Sequence, residues 1–159
     1  MQILGRISYQ QDQNRMLQCI NIAEQCLQEG SEVPIVAAVW WEDQLLAQAS
    51  NTTISTRDPT AHAEINAIRY ACKKVDNHRL PGSTLYVTLE PCMMCFAAIM
   101  EARIARIVYA AADRKFGMLS KRTYQAYHTQ GNHHFAWTGG VEAVRASVLL
   151  RQFFRQFCR

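Results

Sequence analysis

No stretch of this chain is apolar for long enough to cross a bilayer. The longest apolar runs, residues 35–41 and 92–100, fall well short of the roughly 20 residues a membrane helix needs. The first fifteen residues are polar and lack the apolar segment of a secretion signal. No membrane association and a soluble, cytoplasmic location are therefore expected. Internal repeats and low-complexity linkers are also missing, which excludes stacked-repeat and tethered-module designs. With 159 residues, 49% of them hydrophobic and 19% charged, the chain can bury one substantial core. The expected organisation is a single domain over residues 15–159, preceded by a separate N-terminal segment, 1–14. The six cysteines do not read as a disulfide framework, because Cys19, Cys26 and Cys72 fall in apolar helical patterns that suit buried free thiols. A reducing compartment fits such usage.

A closed structural zinc site lacks its fourth ligand. Cys72 stands 20 residues before Cys92 with no partner beside it, and His78 is equally isolated. What is present is His62-Ala63-Glu64, followed by Pro91-Cys92-Met93-Met94-Cys95. One imidazole and two thiolates supply three ligands to a four-coordinate zinc and leave a place for water, as a hydrolytic site requires. Glu64 is most useful off the metal, taking a proton from water and passing protons to the attacked and leaving groups. A lone CxxC could be a redox pair, but its pairing with an upstream HxE matches the zinc deaminases of nucleobases.

Local patterns place these residues. Met16, Leu17, Ile20, Ala23, Cys26 and Leu27 recur at helical steps, and Gly30 ends that helix. Residues 35–41 and 44–49, separated by Glu42 and Asp43, read as an antiparallel hairpin. A second helix is expected to open at Asp58-Pro59-Thr60, with Ala61, Ile65, Ile68 and Ala71 as its buried stripe. A strand over 84–89 leads to a helix from Pro91 to about Ala102, then a strand over 105–110. A short helix near 121–127, an extended piece at 133–137 and a helix over about 141–157 complete the chain. Strands joined through helices imply a mixed sheet covered on both faces, a three-layer α/β/α sandwich. Residues two apart on a regular helix diverge by about 200°. His62 and Glu64 must therefore flank the helix start, with the metal and its water beyond the helix end. Cys92 and Cys95, three apart at a helix N-terminus, face one way where unsatisfied amides favour thiolate.

The chain resembles the bacterial tRNA adenosine deaminase family of the cytidine deaminase-like superfamily. The likeness extends from about Arg15 to the C-terminus. It is carried by Glu32-Val33-Pro34, Asn51, Asp58 to Glu64, Thr88 to Cys95, Ala111 to Lys115, and Phe153-Phe154-Arg155. The resemblance implies a five-stranded mixed sheet, one zinc per chain on His62, Cys92 and Cys95, and Glu64 as the catalytic proton carrier. It further implies that Asn51 contacts the purine or its ribose, that the Ala63 amide and the Pro91 carbonyl touch the base, and that Asp113 lies on a substrate loop. Wobble-position adenosine in a tRNA anticodon stem-loop is the implied substrate, and a homodimer the implied assembly. Phe96, Ile99 and Met100, on the helix after the zinc cysteines, would suit such an interface if they are not core.

The chain departs from that pattern at Val36, Ala97, Ala105 and Ala112, and at Phe116, Met118 and Leu119, where small residues are usual. Those bulky side chains either pack against neighbours or reshape the substrate cleft. The net charge of +4 is modest, but Arg103, Arg106, Arg114, Lys115, Lys121 and Arg122 surround the expected substrate loop. Arg151, Arg155 and Arg159 recur every four residues along the last helix, a stripe suited to RNA phosphates. Phe153, Phe154 and Phe157 on that helix suit core packing or base stacking. Competing readings are a guanine or free-nucleoside deaminase, which needs no basic surface, and a non-catalytic zinc protein that binds RNA, which has no use for Glu64.

Overall fold

In the central strands alternate side chains point to opposite faces, and both faces are apolar. A sheet built from them must be covered on both sides. The computed structural model describes residues 7–120 and 131–157 and has that arrangement. Its elements are α1 (Tyr9–Glu29), β1 (Val36–Trp41), β2 (Gln44–Ser50), α2 (Ala63–Val75), β3 (Ser83–Leu89), α3 (Met93–Glu101), β4 (Arg106–Ala111), β5 (Ala136–Gly139) and α4 (Ala143–Phe157). The sheet order is β2-β1-β3-β4-β5. Strand β1 runs antiparallel to β2 and β3, while β3, β4 and β5 are mutually parallel. This is the mixed five-stranded α/β/α sandwich that the alternating patterns imply.

Ala37, Val39, Leu85, Val87 and Ile107 pack under α2 and α3 with Ala67, Phe96 and Ile99. Val36, Ala38, Tyr86 and Val108 meet Met16, Ile20, Leu149 and Phe153 of α1 and α4 on the other face. Parallel β3 and β4 need a crossover, and α3 supplies it. Phe96 and Ile99 are core residues, buried to 3% and 0% exposure, so they do not form an open apolar face for a second subunit.

Among the boundaries that differ from the sequence reading, three helix starts bear on the site and its support. Helix α1 starts at Tyr9, and Ser8 and Gln11 form a reciprocal capping box at its N-terminus. Residues 9–14, expected to lie outside the domain, are therefore helical, and Asp12 is buried. Its carboxylate accepts both Arg106 Nη atoms, at 2.8 and 2.6 Å, and the Tyr86 hydroxyl at 2.8 Å. Arg106, counted above with the basic cluster, is thus held inside by an acid.

Helix α2 begins at Ala63 rather than near Asp58. Asp58 Oδ1 instead accepts the Thr60 amide and hydroxyl, making a tight turn before the helix. Helix α3 likewise begins at Met93, with Cys92 as its N-cap. The expected helix at 121–127, together with Lys121, Arg122 and Arg159, lies outside the described residues.

Candidate active site

The parallel strand β3 ends beside the N-termini of α2 and α3, where an α/β sheet places its ligand cleft. Both N-cap positions hold unusual residues. N-caps favour Ser, Thr, Asp or Asn, whose side chains bond the first free amides. Here they are His62 and Cys92, both with extended backbones and neither making a side-chain cap bond to the first helix amides. Their side chains turn to each other instead: His62 Nδ1 lies 3.7 Å from Cys92 Sγ and 3.5 Å from Cys95 Sγ. Tetrahedral zinc with ordinary bond lengths separates a nitrogen and a sulfur ligand by about 3.6 Å. The three ligand atoms all lie within 4.8 Å of one another, and they form the one such cluster of three among the described residues. His62 sits one residue outside the helix that carries Glu64, so the two side chains can meet beyond the helix end despite their spacing.

The electrostatics call for a cation. The Cys95 thiol donates to Cys92 and holds it down to about 4, with His62 assisting. Cys95 is driven up by making that bond, then by burial and by the nearby charges of Glu64 and Cys92. His62 is raised, first by its bond to Cys92. Glu64 is only 4% exposed, and burial lifts its carboxyl to about 7, with the Cys92 charge adding to the effect. Two sulfurs and an imidazole packed this closely beside a buried carboxyl suit a divalent cation, whose charge holds both sulfurs as thiolates.

Two loops flank the cluster, each tied to a buried carboxylate that sequence reasoning did not assign. Glu32 accepts Asn51 Nδ2 at 3.2 Å, the Ile54 amide at 2.9 Å and the Ser55 amide at 2.7 Å. Asn51 is itself buried, and its Nδ2 also donates to Thr53. Asn66 Nδ2 donates to the Ser50 carbonyl and the Thr52 hydroxyl, fastening the start of α2 to the end of β2. Glu90 accepts the amides of Asp113 and Ser120. No periodicity signals these residues, because a buried carboxylate and a surface one look alike in sequence.

Of the remaining expected site residues, Ala63 is the first residue of α2, where the helix leaves the amide unpaired. The Pro91 carbonyl accepts the Met118 amide at 3.1 Å, leaving one lone pair for a ligand. Asp113 opens the loop after β4. Met118 and Leu119 are core, whereas Phe116 is exposed. Arg151 and Arg155 are exposed on α4, as are Phe154 and Phe157 in part, while Phe153 is buried. The Phe157 ring packs against Gly30, two residues before Glu32, so the end of α4 meets the segment that holds the Asn51 loop.

This geometry is that of a zinc-binding deaminase, and comparison with known proteins agrees. The cytidine and deoxycytidylate deaminase zinc-binding region matches residues 9–111, and the chain belongs to that family. It is a hydrolytic deaminase of the zinc-dependent kind. Among the relatives it is similar to are tRNA-specific adenosine deaminases. That of Agrobacterium fabrum is 44% identical over 131 residues, 80% of this chain and 84% of the relative. That of Haemophilus influenzae is 40% identical over 147 residues, 91% and 84%. A solved structure from work on A-to-I editing by tRNA:A34 deaminases at the wobble position of transfer RNA superposes with a TM-score of 0.79 at 36% identity, covering 86% of this chain and 99% of that one. A guanine deaminase from Nitrosomonas europaea gives 0.76 at 26% identity, covering 89% and 83%.

Proposed function

We propose that this protein converts the wobble adenosine of a tRNA anticodon to inosine, with release of ammonia. The observation that carries the reading is a three-ligand metal cluster beside a buried carboxyl outside it, in a chain 40–44% identical to tRNA-specific adenosine deaminases. Zinc, when bound, supplies Lewis-acid activation of a water. Glu64 takes the proton released as water attacks C6 of the purine and passes protons to the ring and then to the amine, which leaves as ammonia. Asn51, the Ala63 amide and the free lone pair of the Pro91 carbonyl orient the base, and Asp113 holds the rim of the pocket. Arg151, Arg155 and Arg159 contact phosphates of the stem-loop. The active form is a homodimer, which sedimentation at micromolar concentration tests.

The test of substrate is direct. Zinc-loaded protein is incubated with an anticodon stem-loop, free adenosine, cytidine and guanine, and ammonia and product base are measured. Inosine in the stem-loop, with little turnover of small substrates, is the expected result. Efficient conversion of guanine or free adenosine without salt-dependent RNA affinity overturns it in favour of a free-base enzyme.

A further inference from the structure

The loop that follows β4 is fastened at three places beside the zinc ligands. Glu90, 2% exposed, accepts the Asp113 amide at 3.0 Å, and the Ser120 amide and hydroxyl at 2.7 and 3.0 Å. Adjacent to it, the Pro91 carbonyl accepts the Met118 amide, and Cys92 forms an isolated antiparallel bridge with Gly117. Gly117 lies so close to the Glu90 carboxyl that no β-carbon fits there. Asp113 Oδ1 accepts the amides of Lys115 and Phe116, at 2.8 and 3.0 Å, and fixes the turn.

Met118 and Leu119 of this segment are buried, yet Phe116 is 60% exposed. Single exposed apolar residues are ordinary on surfaces. This one differs in its setting. Its backbone is pinned, it precedes the glycine that bridges a zinc ligand, and Lys115 Nζ lies 5.1 Å from its ring centroid. Arg114 beside it is exposed as well. A rigid aromatic face next to cationic side chains is the chemistry that binds an unpaired nucleobase and its phosphate. An adenosine drawn out of its stack to reach the zinc leaves the face of its neighbour uncovered.

We infer that Phe116 is the stacking platform for the base adjoining the target adenosine, and that Glu90 is the positioning residue that holds the platform at the rim of the site. The inference rests on the RNA reading above. Its test compares zinc-loaded wild type, Phe116→Ala and Phe116→Trp on an intact anticodon stem-loop and on stem-loops made abasic at either nucleotide flanking the target. Phe116→Ala should weaken binding of the intact RNA about tenfold, and Phe116→Trp should restore it. One abasic RNA should bind wild type as weakly as the alanine variant binds intact RNA, with no further loss when the two changes are combined. Glu90→Gln should likewise lose affinity for intact RNA and lose much less for that abasic RNA, a selectivity that general loosening of the fold does not produce. If wild type deaminates the stem-loop but Phe116→Ala binds within twofold of it, or loses equally on intact and both abasic RNAs, the platform is overturned. If wild type does not deaminate the stem-loop, it is the RNA reading that has failed.

Discussion

Replacing Asp12 with alanine should destabilise the protein far more than its place near the N-terminus suggests. Its carboxylate, 2% exposed, receives both guanidinium nitrogens of Arg106 and the Tyr86 hydroxyl. Removing it leaves a cation whose side chain is 17% exposed bonded to the Thr138 hydroxyl without its counter-charge, and leaves a buried phenol without its acceptor. Breaking one side of a buried pair costs about 3–5 kcal/mol. The partial exposure of Arg106 puts this case near the lower end, about 3 kcal/mol. For a chain of this size that is a drop of roughly 6–12 °C in Tm. Urea unfolding at fixed free zinc measures it, since bound metal otherwise shifts the midpoint. Asp12→Leu combined with Arg106→Met should recover much of the loss, because the unpaired charge is gone. Deleting residues 1–14 should be at least as damaging as Asp12→Ala. A loss under about 1 kcal/mol for Asp12→Ala, or a double variant no better than the single one, refutes the argument.

Glu64→Gln should retain one zinc per chain by elemental analysis while ammonia release falls by about two to four orders of magnitude, the usual worth of a positioned acid-base group. Retained turnover would mean another residue carries the proton. The same substitution reads out burial in the chelated protein. There the folded state holds Glu64 at about 7 against an ordinary 4.5. Folding thus keeps a proton that the unfolded chain has released, and stability should fall as pH rises from about 4.5 to about 7. Subtracting the glutamine variant, measured in the same buffers, isolates this slope, and parallel curves would contradict it. Cys92→Ala should lose zinc and thermal stability together, checked by metal analysis beside calorimetry, because binding to a folded site adds to folding free energy. Arg151→Ala with Arg155→Ala should weaken all stem-loops alike and flatten the salt dependence by about 1.5 units of slope in log Kd against log salt, whereas sequence-selective loss would move these residues from phosphates to bases.

The misplaced helix starts of α2 and α3 share one cause with the site itself. Capping rules look for Ser, Thr, Asp or Asn, and so moved the start of α2 back to Asp58, four residues before its true N-cap, His62. The rule fails there because the cap position holds a metal ligand, as it does at Cys92. Sequence was reliable where local chemistry decides structure: the period-two strands, the Glu42-Asp43 hairpin, the Gly30 stop and the ligand triad itself. It was blind where the deciding partner is distant. Asp12 reads as part of a polar tail until Arg106, 94 residues on, is folded against it. Glu32 and Glu90 stand in segments that carry the family resemblance, but their roles emerge only when the amides of two loops converge on them. A capping box over Ser8 and Gln11 was present in sequence and marks the true start of α1. The site therefore divides by range. Its metal ligands sit in short motifs because chemistry requires their types and spacing. The carboxylates that hold the surrounding loops have only to reach an amide, so their positions become visible only when the sheet brings the loops together.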